Sequence, residues 1–202
     1  MPLLRYNLAP TLNGYIASLP SHGTPWIVED ATIDFGALYA EFSAFVMGRK
    51  TYETLLALEP NPLAGRPRES VVVFSRDERF KREFGGGAVT VVDGEAGVEV
   101  VRRLKESDSE SESGVGYKEE KDVWLMGGGE LAGLLMRRGL VDVVETAIMP
   151  VVVTEGVKMF GEGKVGGDRD GDKGEVGWRL VLDKAERLET GILMTRYGVL
   201  YD

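Results

Sequence analysis

The sequence predicts an α/β fold in which helices cover both faces of a mostly parallel sheet and the chain closes with an antiparallel hairpin. Three observations carry this. Short apolar or β-branched runs alternate with segments of helical periodicity between residues 31 and 149. Two of those runs, Phe45-Val46-Met47 and Trp124-Leu125-Met126, end in glycine and pass straight into helix-like sequence. At the C-terminus, residues 178–188 and 192–201 flank Thr190-Gly191 as the two arms of a hairpin.

Taken in order, residues 3–9 suit a first strand, which Pro10 breaks and Tyr15-Ile16-Ala17 resumes. Phe35, Leu38, Tyr39 and Phe42 place one apolar stripe on a helix over 31–41. Phe45-Val46-Met47 then reads as a buried strand stopping at Gly48. Thr51, Leu55 and Leu58 continue as a helix that ends before Pro60 and Pro62. The run Ser70-Val71-Val72-Val73-Phe74 has the pattern of a strand covered on both faces. A strand over 88–92 follows Gly85-Gly86-Gly87. It is succeeded by a helix over 97–104, a strand over 122–126, a helix ending near Gly139 and a strand over 143–149 stopped by Pro150. Two polar stretches, 106–121 and 161–177, lack apolar periodicity and are expected to be surface loops. The second contains Asp168, Asp170 and Asp172 without the full ligand spacing of a calcium loop.

A chain of 202 residues, 43% hydrophobic, suits one domain spanning 1–202. No secretion signal and no run of about eighteen apolar residues is present, so a cytoplasmic protein without a membrane partner is expected. The absence of cysteine excludes disulfides, thiolate metal sites and cysteine nucleophiles, and a single histidine, His22, excludes a histidine-rich zinc site. With 24 Lys+Arg against 33 Asp+Glu the net charge of −9 repels nucleic-acid backbones, so no nucleic-acid partner is expected.

The chemistry concentrates at the two strand-glycine-helix junctions, Met47-Gly48-Arg49-Lys50-Thr51 and Met126-Gly127-Gly128-Gly129-Glu130-Leu131. Glycine lets a ligand approach the backbone, and a helix start presents unpaired N–H groups that suit phosphate. If both junctions lie at one sheet edge they form two walls of an anion site, with Arg49 and Lys50 adding positive charge.

These junctions, together with Thr11-Leu12-Asn13-Gly14-Tyr15-Ile16-Ala17, the Trp26 region, Ser75-Arg76, Leu140-Val141-Asp142 and 150–160, resemble the three-layer dihydrofolate-reductase-like fold. Within it the resemblance is to the C-terminal reductase domain of bacterial riboflavin biosynthesis, and it extends over most of the chain. It implies an NADPH-dependent reductase, stand-alone and homodimeric through its terminal strands, that transfers a hydride to a small heterocyclic or conjugated substrate. By the same resemblance Gly48, Arg49, Lys50 and Thr51 approach the pyrophosphate and the adenosine-side phosphate, and Ser75 and Arg76 meet the 2′-phosphate. Gly127, Gly128, Gly129, Glu130 and Leu131 cover the pyrophosphate and nicotinamide side, while Ala9, Ile16 and Ala17 bracket the nicotinamide. The acidic group that holds substrate in folate reductases falls to Asp30, with Glu29 and Asp34 as the neighbouring candidates. Two departures are visible. Thr11-Leu12-Asn13-Gly14 stands where Ser-Leu-Asp-Gly is commoner, so Asn13 takes the place of the aspartate, and Thr154 replaces the first glycine of a Gly-x-Gly turn. The resemblance leaves two other uses of the cleft open: non-redox chemistry on a biosynthetic intermediate, or nucleotide binding without catalysis.

Overall fold

The apolar runs become strands and the periodic segments helices. In the computed structural model, which describes residues 1–19, 21–106, 121–161 and 177–201, the strands are β1 (Leu4–Leu8), β2 (Tyr15–Ala17), β3 (Phe42–Gly48), β4 (Val71–Phe74), β5 (Thr90–Val92), β6 (Asp122–Gly127), β7 (Val143–Ile148), β8 (Val157–Lys158), β9 (Arg179–Arg187) and β10 (Leu193–Leu200). The helices are α1 (Phe35–Ala40), α2 (Arg49–Leu56), α3 (Glu78–Phe84), α4 (Gly94–Glu106) and α5 (Gly129–Arg137). They give the three-layer α/β arrangement: a mostly parallel central sheet, helices on both faces and a C-terminal antiparallel pair. The loops expected over 106–121 and 161–177 lie, apart from their end residues, outside the described residues. Two compact units are distinguishable, one of residues 1–5 and 31–127, the other of residues 6–30 and 128–202.

In the first unit β5, β4, β3 and β6 lie side by side and parallel. Val71, Val72 and Val73 are buried on both faces of this sheet, which is why their run does not alternate with polar residues. One face packs Phe45, Met47, Val71, Val73 and Trp124 against Tyr52 and Leu55 of α2 and Phe80 of α3. The rings of Phe42 and Trp124 are 4.8 Å apart, and Tyr52 stands edge-on to Phe80 and Phe84. On the opposite face α4 lies so close to β4 that a Cβ at Gly97 would come within 2.4 Å of the Phe74 ring.

Helix α1 begins later than the apolar stripe suggests, because Asp34 caps it by accepting the Ala37 N–H at 2.9 Å. Helix α3, absent from the sequence expectation, is capped in the same way by Asp77. The buried Arg5 places Nη1 2.6 Å from Glu41 and 3.3 Å from Asp122, and its guanidinium sits 4.6 Å above the Phe42 ring.

In the second unit β7, β10 and β9 form an antiparallel ladder, irregular at Arg196/Tyr197, with a buried Thr146–Thr195 hydroxyl pair at 2.7 Å. The glycines of α5 have a packing purpose. A Cβ at Gly129 would lie 1.9 Å from the Lys158 carbonyl oxygen, and one at Gly133 would lie 2.7 Å from that of Phe160. Residues 158–161 therefore cross α5 backbone to backbone. Residues 10–17 run along 149–159, joined by Met149 N–H to Pro10 O, Leu12 N–H to Val151 O, Met159 N–H to Gly14 O and the β2–β8 pairing. Asn13 completes this seam: its Nδ2 donates to Val153 O at 2.7 Å and its Oδ1 accepts the Val153 N–H at 3.3 Å. No helix among the described residues is long and apolar enough to cross a membrane.

Candidate functional site

In the first unit, Gly48 pairs in register with Phe74, and Met47 with Gly127, so the ends of β3, β4 and β6 gather Gly48, Ser75 and Gly127 at one edge. Helix α2 starts from Gly48 with no side-chain cap and no acidic residue in its first turn. That contrasts with α1 and α3, whose first N–H groups are taken by Asp34 and Asp77. The α2 start therefore favours an anion through its dipole as well as its donors. Gly127 has φ +119, a conformation that favours glycine, and a Cβ there would lie 3.8 Å from Thr51 Oγ1.

The cations of this edge differ in their engagement. Arg49 Nη1 lies 3.0 Å from Glu53 and 3.7 Å from Asp77; the residues Lys50 and Arg76 are exposed. Ser75 is buried and its Oγ accepts the Asp77 N–H at 3.1 Å, which leaves the hydroxyl hydrogen as a donor. The N–H groups of Phe80 and Arg79, with the nearby guanidinium of Arg49, hold the Asp77 carboxyl below the usual carboxylate range.

In the second unit α5 starts from Gly128, again without a side-chain cap. Gly128 has φ −85 and ψ −178, ordinary extended backbone, and no atom of the described residues lies within 4 Å of an added Cβ. Neither its conformation nor its packing calls for glycine. The three consecutive glycines thus separate into three cases: Gly127 has a conformational reason, Gly129 a packing reason, and Gly128 neither. Leu131 is buried in the core. Glu130 stands in the first turn of α5, where the dipole favours it, and packs against the Gly161 turn. Ala9 and Ile16 are half-buried.

The acidic candidates do not share one environment. Asp34, in the first unit, is the α1 cap, so its carboxylate already has a structural partner. In the second unit Glu29 is exposed, and Asp30 Oδ2 accepts the Thr190 hydroxyl at 2.6 Å. Trp26, in the same unit, buries an indole N–H that has no hydrogen-bond partner among the described residues. Asp77, Glu53 and Thr190 were not apparent as site residues from sequence. Asp77 carried a signal, as a cap residue three and seven positions before Phe80 and Phe84, while Thr190 had none. Among the described residues no group of three or more acidic or histidine side chains is placed to hold a metal ion.

The layers, strand order and helix starts define a dihydrofolate-reductase-like protein. Residues 2–194 match the RibD C-terminal domain, and the chain belongs to that family. It is 26% identical over 163 residues to the uncharacterized protein YyaP of Bacillus subtilis (strain 168), covering 76% of this chain and 78% of that one. Among solved structures, a pyrimidine reductase-like protein from Corynebacterium diphtheriae superimposes with a TM-score of 0.62 at 18% identity, covering 100% of this chain and 93% of that one. A dihydrofolate reductase from Enterococcus faecalis in complex with NADP(H) superimposes with a TM-score of 0.57 at 16% identity, covering 98% and 96%. At these identities the structural likenesses establish the fold.

Proposed function

We propose that the protein is an NADPH-dependent reductase that transfers a hydride to a small, heterocyclic or conjugated substrate. The observation that carries the reading is Gly128: a glycine that neither backbone conformation nor packing among the described residues requires, at an uncapped helix start, where a side chain would obstruct an approaching molecule. The uncapped start of α2 at Gly48, with Arg49, Lys50 and Thr51, gives a second set of anion-binding groups in the first unit. Family membership and the NADP(H) complex of the Enterococcus faecalis enzyme support the choice of ligand.

In this reading Gly48, Arg49, Lys50 and Thr51 hold the pyrophosphate and the adenosine-side phosphate, and Ser75 and Arg76 hold the 2′-phosphate. A guanidinium fork suits phosphate oxygens, and this favours NADPH over NADH. Gly127, Gly128, Gly129, Glu130 and Leu131 serve the pyrophosphate and nicotinamide side, with Ala9 and Ile16 beside the ring. Bound NADPH would supply the hydride; the protein's part is to hold the reacting carbon atoms in van der Waals reach of each other. Asp30 is the proposed substrate-holding carboxylate, oriented by Thr190. Calorimetric titration of the purified protein with NADPH and NADH tests the reading. Saturable binding with NADPH tighter is expected, and no saturable binding of either would overturn it.

A homodimer is part of the proposal. All nine residues of β9 are exposed, and they include Leu180, Val181 and Leu182. An exposed apolar edge strand is a pairing surface, and a second copy presents the same strand. Light scattering should give twice the chain mass, reduced to one chain by Val181→Lys; a wild-type monomer would exclude the dimer.

A further inference from the structure

The edge that gathers cations in the first unit also carries one carboxylate held by backbone hydrogen bonds. Asp77 Oδ1 accepts the N–H groups of Arg79 at 2.9 Å and Phe80 at 3.2 Å, and its own N–H donates to Ser75 Oγ. Its second oxygen lies 3.7 Å from Arg49 Nη1. Glu53 also pairs with Arg49, at 3.0 Å, but from the next turn of the same helix and on a longer side chain. Asp77 is different in kind. Capping ties its carboxylate to the α3 start, directly after Ser75-Arg76 in the chain and 3.7 Å from Arg49 Nη1, so its charge is a standing part of this edge.

We propose that Asp77 is a specificity-setting residue of the dinucleotide site, a fixed negative charge that restrains the preference for a 2′-phosphorylated dinucleotide over its unphosphorylated counterpart. This rests on the dinucleotide reading above. A phosphomonoester carries roughly −1.5 to −2 charge at neutral pH. A ligand bearing one at Ser75-Arg76 brings that charge beside the carboxylate of the next residue, Asp77, and is repelled by it, whereas a 2′-hydroxyl there carries no charge to be repelled. The same carboxylate could accept a hydrogen bond from that hydroxyl, which moves the balance in the same direction.

Asp77→Asn tests this, because asparagine keeps the capping oxygen and removes the charge; Asp77→Ser is a second neutral cap should the first variant fold poorly. Thermal melts establish folding, and calorimetry gives the dissociation constants of NADPH and NADH for each variant and for the wild type. The expected result is NADPH bound about three- to tenfold more tightly, with NADH unchanged or weakened, so that the ratio of the two constants moves toward NADPH. A ratio unmoved or shifted toward NADH in a folded variant, with wild-type binding intact, overturns the role of Asp77 and leaves the dinucleotide reading standing. A wild type that binds neither dinucleotide overturns both.

Discussion

The carbonyl oxygen of Lys158 lies where a side chain on Gly129 would begin, 1.9 Å from the position of a Cβ. Both partners are backbone, so neither can rotate aside. Gly129→Ala should lose about 3 kcal/mol or more in urea denaturation as residues 158–161 are forced off α5. Gly128→Ala, one residue earlier, meets no other part of the described residues and should stay within about 1 kcal/mol of the wild type. Its methyl group should nevertheless weaken NADPH binding about tenfold or more. Wild-type affinity in Gly128→Ala would remove the ligand-based reason for that glycine.

Arg76 is exposed at the β4–α3 junction beside the buried Ser75. Arg76→Ala should narrow the advantage of NADPH over NADH by about three- to tenfold, with stability changed by less than about 0.5 kcal/mol. Paired titrations decide it, and an unchanged ratio would reject the assigned role.

Arg5 joins Glu41 and Asp122 and stacks on Phe42 from a nearly enclosed position. Arg5→Ala takes the cation from two carboxylates and the cover from a ring, and should cost about 2–3 kcal/mol. Arg5→Lys keeps the charge but loses the planar stack, and should recover only part of the loss. Chemical denaturation curves of the two variants separate charge from shape; equal stabilities of the two would assign the whole effect to the planar guanidinium and none to its charge.

Asp77 also has a consequence for acid stability. Its folded carboxyl titrates below the ordinary range because it accepts the Phe80 and Arg79 N–H groups beside Arg49. The stabilisation is therefore complete above the unfolded value near about pH 4 and fades as pH falls through the lower folded value. Asp77→Asn should flatten the stability profile below about pH 4 and leave its shape above about pH 5 unchanged. Denaturation curves across that range measure this, and an acid limb identical to the wild type would contradict it.

The parallel layer was legible because its signals are local. A valine run at β4, glycine after β3 and β6, and apolar stripes on α2 and α5 each lie within a few consecutive residues. Helix α3 is harder to read, since seven residues ahead of three glycines give just under two turns of periodicity, although Asp77, Phe80 and Phe84 are spaced for it. The two-residue β8 has no sequence signature at all; it exists because β2 is there to pair with it. Among the site residues, the helix starts could be read directly, but the separate reasons for Gly127, Gly128 and Gly129 depend on Lys158 and on a single φ angle. The acidic segment was illegible for a related reason. Residues 18–34 have no period, and the partner of Asp30 is Thr190, 160 positions away.

Asn13 bears on how this chain tolerates its departure from the commoner Ser-Leu-Asp-Gly. Its amide donates to one backbone group of Val153 and accepts from the other, with Thr11 Oγ1 donating to the same oxygen at 2.9 Å. The side chain imitates a neighbouring strand. An aspartate could take the N–H but would set a negative charge against the Val153 carbonyl, so Asn13 and the Val153 backbone form a matched fastening. At this turn the molecule has exchanged a charge for a stitch, and amide hydrogen exchange at Val153 would show how firmly that stitch holds.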